Sequence, residues 1–461
     1  MNDNRDADKN ANRKTTPLSQ EFLAYISSSW DTPDKPPIKQ DPVAPFAKAR
    51  RQKVAKSFPG KLILIQAGAP KTRSNDTDYR YRPHAAFAHL TGWGSRTVAD
   101  SVLVIDTRET VKEILYLRPT AGKDSNEFFA NPVIGEFWVG ARPTLEEVSK
   151  LLDIETRDLA ELDSYLAGSP TIDLDNPELG QFVSELRLIK DSYEIEQMRL
   201  AVAASISGFE DVVKVLPKSV GIAKGERLIE TTFFQRARLE GNDIGYETIA
   251  AAGKHACILH WIINDGEVNS TDLVLLDAGV EVDSLYTADI TRSIPVSGKY
   301  SKAQREIYLA VLEAADAAFA IAKPGVLFSQ MHQAAMNVIA KKTADWGILP
   351  VSAEESLDEN KQFHRRWMVH GTSHHLGIDV HDCAQARKEM YLDAPLEEGM
   401  VFTIEPGLYF HADDLLAPEE FRGIGVRIED DVLVTKDGVE NLSRALPRHP
   451  DEIEAWMAKL S

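Results

Sequence analysis

Met-Val-His-Gly-Thr-Ser-His-His-Leu-Gly-Ile-Asp-Val-His-Asp, residues 368–382, is the stretch from which the rest of the chain can be read. Five of the twelve histidines fall between His364 and His381. A single histidine is ordinarily a surface group or a satisfied core group, but a cluster of this density suggests chemistry. His370 and His374 stand four apart, the spacing of the helical His-Glu-x-x-His zinc motif. Gly371 occupies the place where that motif needs Glu, so it is excluded.

Working outward, four carboxylates lie in or beside apolar, strand-like runs. Asp277 follows Leu273-Val-Leu-Leu276, and Asp289 precedes Ile290-Thr291-Arg292. Glu405 closes Met400-Val-Phe-Thr-Ile, and Glu429 follows Val426-Arg427-Ile428. Alternation puts Thr403 and Glu405 on one face of their strand, and Arg427 and Glu429 on one face of theirs. Taken alone, Asp277 and Asp289 are a hairpin with turn-forming aspartates, and Arg427 with Glu429 is an ordinary ion pair. Taken together, four carboxylates in apolar surroundings are costly unless paired or bound to metal. With His374 they form a set that two divalent cations neutralise. Oxygen-rich ligation with one imidazole and no thiolate favours Mn²⁺, with Co²⁺, Zn²⁺ or Fe²⁺ as alternatives.

The 461 residues suffice for two or more domains with sizeable cores. A net charge of −19 argues against nucleic acid as a partner. Two cysteines, Cys257 and Cys383, suggest no disulfide framework. No apolar run approaches membrane-spanning length, and Met1–Thr16 lacks the apolar core of a signal peptide. A cytoplasmic protein with no membrane association is the expectation. Residues 1–46 read as a disordered or extended N-terminal segment, with Trp30–Phe46 rich in proline and charge. Leu62–Ile65, Ser101–Ile105 and Glu113–Leu117 read as buried strands of a first α/β domain, residues 47–186. The second domain, residues 187–461, opens on a capping box, Asp191 with Glu194. Ile195, Met198, Val202, Ile206 and Phe209 recur at helical spacing. Another capping box, Ser301 with Gln304, starts a helix that ends before Pro324.

These segments resemble the metal motifs of the pita-bread metallopeptidases, family M24, and within them the Xaa-Pro aminopeptidases (aminopeptidase P). The likeness runs from about residue 75 to the C-terminus. It rests on residues 368–382 and on Phe421-Arg-Gly-Ile-Gly-Val-Arg-Ile-Glu-Asp-Asp431, where relatives carry Tyr in place of Phe421. It also includes Tyr79-Arg-Tyr-Arg82 and Leu90-Thr-Gly92 in the first domain. The resemblance implies an α/β (α+β) architecture, an aminopeptidase P-like N-terminal domain followed by a pita-bread catalytic domain of two related halves. Each half contributes one carboxylate pair. The first domain is expected to shape the substrate entrance and the contacts of a homo-oligomer, dimer or tetramer. The family usually has one residue fewer between its two aspartates, and the extra residue is expected near Val282–Ser284.

The resemblance also assigns roles. Asp277 chelates one ion, His374 and Glu405 the other, and Asp289 and Glu429 bridge both. Glu405 doubles as the group that handles the proton of the attacking hydroxide. His370 and His381 bind substrate and stabilise charge, and His260 lines the pocket for the residue after the cleaved bond. Tyr246 and Arg427 are expected at the substrate. His375 is expected to be exposed. The implied reaction removes the first residue of peptides with proline second. Alternatives are a prolidase confined to Xaa-Pro dipeptides, a methionine aminopeptidase, a creatinase-like amidinohydrolase, and a non-catalytic peptide-binding scaffold. The large first domain argues against the second, and the complete ligand set against the last two.

Overall fold

A computed structural model describes residues 19–31, 37–75 and 77–460. The chain divides into two compact units, Met1–Val183 and Ser184–Ser461. Among the described residues no helix is long and apolar enough to cross a membrane.

The first unit is built on a four-stranded sheet in sequence order: β1 (Leu62–Gln66), β2 (Val102–Asp106), β3 (Lys112–Leu117) and β4 (Glu155–Asp158). The first three run antiparallel, and β4 joins β3 in parallel. Leu62, Leu64, Val102, Val104, Ile114 and Tyr116 form one core cluster, while Ile63, Ile65, Leu103, Ile105 and Leu115 are buried as well. Covering both faces explains why these strands read as unbroken apolar runs rather than as alternation. The extended segment expected over residues 1–46 differs in part. A short helix spans Gln20–Ile26, where Ser19 accepts a hydrogen bond from the Phe22 amide, and another helix begins at Ala44. The expectation of disorder for Met1–Thr16 lies outside the described residues.

The second unit repeats one element order. A helix pair, α1 (Ser192–Ser219) and α2 (Gly225–Glu240), precedes an antiparallel sheet of β5 (Ile249–Ala252), β6 (Leu273–Ala278) and β7 (Ile290–Pro295), with β6 central. A second pair, α3 (Lys302–Ile321) and α4 (Ser329–Asp345), precedes β8 (Val401–Ile404), β9 (Gly407–Phe410), β10 (Ile424–Arg427), β11 (Asp430–Thr435) and β12 (Gly438–Asn441). β8, β11 and β12 form one sheet, and β9 pairs with β10. Both capping boxes form as the sequence requires, Asp191 with Glu194 and Ser301 with Gln304. α3 ends at Ile321, three residues short of Pro324. Ala315, Ala318 and Met331 from the helices meet Phe402, Ile404, Val432 and Val434 from the sheet in one core. A bridge from Thr291 to Glu429, with hydrogen bonds between Ser293 and Arg427, joins the two sheets and brings the carboxylate pairs together.

The segment leading into α1 is locked to the histidine-rich loop by a buried ion cluster. Arg187 Nε lies 2.9 Å from Asp382 Oδ1, and Lys190 Nζ lies 3.3 Å from Oδ2. Burial raises the Asp382 pKa, but the two cations outweigh it and hold the carboxyl down at about 2. Its folded value lies below the unfolded value of about 3.9. The stabilisation is therefore complete above pH 4 and lost as pH falls from about 4 to about 2. Removing one member of a buried cluster strands the others, at about 3–5 kcal/mol. Asp382→Asn should lower the melting temperature by several degrees at pH 7. The gap to wild type should narrow as pH falls towards 2. Thermal melts across that range check both; a gap independent of pH would contradict the assignment.

Candidate active site

The site forms where β6, β7, β9 and β10 converge with the extended loop beside β8. Asp277 is the penultimate residue of β6 and Asp289 immediately precedes β7. The turn between them closes over Val282–Tyr286, with Val282 N–H on Tyr286 O at 3.0 Å. Leu285 sits there at φ 73°, an unusual conformation for leucine, with its side chain fully buried. Across this turn the aspartates stay together: the Tyr246 hydroxyl reaches Asp277 Oδ1 at 2.6 Å and Asp289 Oδ1 at 2.5 Å.

The second carboxylate pair arrives from the other sheet. Thr403 N–H donates to His374 O at 2.9 Å, and Glu405 N–H donates to Thr372 O at 2.8 Å, fixing the histidine loop against β8. His374 Nε2 then lies 3.3 Å from Asp289 Oδ2, 3.5 Å from Glu405 Oε1 and 3.9 Å from Glu429 Oε1. Among the described residues, Asp289, His374 and Glu429 bring ligand atoms within 4.8 Å of one another. Glu405 borders that group. Asp277 lies outside that group, with its oxygens bonded by Tyr246 and by Arg427 Nη2.

Arg427 is the hub of the surrounding hydrogen bonds. Besides Asp277, it donates from Nε to Thr291 Oγ1 at 3.2 Å, and Thr291 in turn donates to Glu429 Oε2 at 2.7 Å. From Nη1 it donates to the Tyr409 hydroxyl at 3.0 Å, which bonds His370 Nε2 at 2.7 Å. His370 Nδ1 lies 2.7 Å from Gly371 O. The donors run one way only if His370 is neutral with its proton on Nδ1. Burial, then the Arg427 charge, holds this imidazole down at about 3, in agreement. Tyr246 and Arg427, expected at the substrate, here bond Asp277 and Asp289 through the Tyr246 hydroxyl and Asp277, Thr291 and Tyr409 through the Arg427 guanidinium.

Three buried carboxylates, Asp277, Asp289 and Glu429, and the half-buried Glu405 face the Arg427 guanidinium and the His374 imidazole. Burial raises Asp289 and Glu429, and pushes Glu405 up to about 7, with neighbouring carboxylates adding to the effect. Burial opposes protonation of His374, but Asp289 and Glu405 outweigh it and carry the imidazole to about 9. Tyr246 has one proton to offer two carboxylates. This is the balance of an anionic donor set built around cations, so the residues fit a divalent metal centre.

His381 packs against His374, ring centroids 4.3 Å apart, and partial desolvation of its inner side, with His374 and His260 nearby, lowers it to about 4. His260 and His381 are both exposed, at the open side of the site. His375 differs from expectation: it is fully buried. Its ring stacks on Phe328 at 4.6 Å and meets Tyr391 edge-on at 4.6 Å. It serves as an aromatic core side chain, with its backbone bridged to Phe402. Tyr409, Thr291 and Asp431, which accepts from the Asp289 amide, were not singled out from sequence. The one available signal was for Thr291, which shares the strand face of Asp289.

Residues 196–436 match metallopeptidase family M24, and residues 47–171 match the aminopeptidase P N-terminal domain. The chain is 47% identical to Xaa-Pro aminopeptidase 1 of Streptomyces coelicolor, over 96% of this chain and 93% of that protein. It is 32% identical to the Xaa-Pro aminopeptidase of Escherichia coli, over 89% of this chain and 97% of that protein. The structure of E. coli aminopeptidase P with the inhibitor Pro-Leu matches at a TM-score of 0.80 and 29% identity, covering 91% of this chain and 99% of that one. A Zn-substituted form of the same protein, in complex with product, matches at 0.79 and 29% identity, covering 92% and 100%.

Proposed function

The chain belongs to metallopeptidase family M24 and is a Xaa-Pro aminopeptidase of that family, and we propose that it releases the first residue of peptides with proline second, with Mn²⁺ as the preferred ion. One observation carries the reading of the site: His374 Nε2 stands within 3.3–3.9 Å of carboxylate oxygens from Asp289, Glu405 and Glu429. Asp277 would hold one ion, His374 and Glu405 the second, with Asp289 and Glu429 shared. The mostly oxygen donor set favours Mn²⁺ over softer ions. When bound, such a pair acidifies water and polarises a carbonyl.

The chain's own residues do the rest. Glu405 takes and returns the proton at its carboxylate, with His370 Nδ1 3.6 Å from Oε2. Arg427, Tyr246 and Thr291 hold the carboxylates in place, a duty that typically affects activity about 10–100-fold when lost. His381 offers its imidazole to the developing oxyanion from the open side. His260 lines the wall against the second residue of the peptide. A proline there gives the scissile nitrogen no hydrogen, so selection falls to the shape of the pocket. Two buried free thiols, Cys257 and Cys383, suit a reducing compartment, and we place the protein in the cytoplasm as a homo-oligomer.

A substrate panel tests the reading. With Mn²⁺, Xaa-Pro-Yaa peptides should lose their first residue, and Xaa-Ala-Yaa peptides should react at least about tenfold less efficiently. Activity confined to Xaa-Pro dipeptides would move the assignment to a dipeptidase.

A further inference from the structure

Away from the carboxylate cluster, one fully buried carboxylate has no part in the chemistry described above. Glu226, in the first turn of α2, has no exposed surface. Oε1 accepts from Ala252 N–H at 2.8 Å and lies 2.8 Å from His255 Nδ1. Oε2 accepts from Trp261 Nε1 at 2.8 Å and from Gly266 N–H at 2.7 Å. The rings of His255 and Trp261 stack at 3.9 Å. A Cβ on Gly266 would stand 2.7 Å from the Glu226 carboxyl, so a side chain there would push the loop away.

All four partners lie at the end of β5 or on the segment that follows it, and that segment carries His260. Trp261 is its immediate neighbour in sequence. An anchored indole therefore fixes the backbone from which the exposed His260 ring projects. A buried carboxylate costs much unless its oxygens are fully bonded, and here four donors converge on it. Such convergence holds a loop in one arrangement. Ala256, Cys257 and Asn264 anchor the two ends of this segment, but Ile258, Ile262 and Ile263, which flank His260, are exposed, so next to His260 the hold falls to Trp261 on Glu226.

We propose that Glu226 is a positioning residue that sets selectivity for the second residue of the peptide by holding the His260 loop. The inference rests on the reading of His260 as a wall of that pocket. The test compares wild type, Glu226→Gln, His260→Ala and the double variant, each as the full Mn²⁺-loaded protein. Readouts are kcat/KM on matched Xaa-Pro-Yaa and Xaa-Ala-Yaa peptides, metal content and melting temperature. Glu226→Gln should keep its metal while its preference for proline falls roughly tenfold or more. His260→Ala should lose a comparable preference. The double variant should be no less selective than His260→Ala alone, because both changes remove one interaction.

Equal loss on both substrates in Glu226→Gln, or multiplied effects in the double variant, overturns the proposal. Should Glu226→Gln fail to fold, Trp261→Phe removes one donor and keeps a ring for the stack; unchanged selectivity there overturns it equally. A wild type without proline preference sinks the underlying reading, and the proposal with it. A proline-selective wild type beside an equally selective Glu226→Gln sinks the proposal alone.

Discussion

Asp289→Ala and Glu429→Ala should each abolish peptide hydrolysis and drop metal content to one ion or none. Asp289 Oδ2 is the carboxylate oxygen nearest His374 Nε2, at 3.3 Å. Its backbone is anchored independently, through its amide on Asp431, so alanine removes the ligand without moving the strand. Glu429 reaches the same imidazole and is aimed by Thr291 Oγ1 at 2.7 Å. If each is shared between two ions, either loss weakens both sites together. The effect should then exceed the roughly 10–100-fold typical of removing an outer partner. Asp277→Ala provides the contrast: it should cost one ion first, because its oxygens already engage Tyr246 and Arg427. Metal analysis of the purified variants beside activity decides the matter. Two tightly held ions in the Asp289 or Glu429 variant would refute the shared-ligand assignment.

What could be read in advance followed from local rules. The capping boxes at Asp191 and Ser301 need only residues three apart, and both form. The unbroken apolar runs of the first sheet reported burial on both faces. The carboxylates stood out because a charge beside an apolar strand has few harmless explanations. What escaped notice depends on partners distant in the chain. Arg427 reads as half of an ion pair with Glu429, yet its guanidinium holds Asp277, 150 positions away. Glu226 resembles any helix-start acid until a loop from further along the chain wraps it. His375 looked exposed because histidine usually is. Its environment is set by Phe328 and Tyr391, and burial keeps the ring neutral, at about 3. The helix Gln20–Ile26 lies in a stretch whose polar, proline-rich surroundings gave no periodic signal.

The second large effect separates the ligand imidazole from its neighbour. His374→Ala should lose metal as well as activity, because His374 is the one nitrogen donor among carboxylates and its ring is fenced by Asp289, Glu405 and Glu429. His375 cannot replace it: that ring is stacked on Phe328 in the core and faces away from the cluster. His381→Ala should keep both ions. Its ring touches His374 rather than the carboxylates, and it stands exposed at the mouth of the site. Turnover should still fall by about 10²–10³, the usual cost of one lost oxyanion donor. Most of that fall belongs in kcat, since the donor is called on as charge develops rather than when peptide binds. Removing the His374 imidazole should also erase the group that Asp289 and Glu405, against the effect of burial, hold at about 9. Proton release on adding Mn²⁺ to the metal-free protein should therefore shrink in His374→Ala and persist in His381→Ala. Plasma mass spectrometry for bound metal, with proton release beside it, gives two independent readings. Metal loss in the His381 variant, or full metal in the His374 variant, would exchange the two roles.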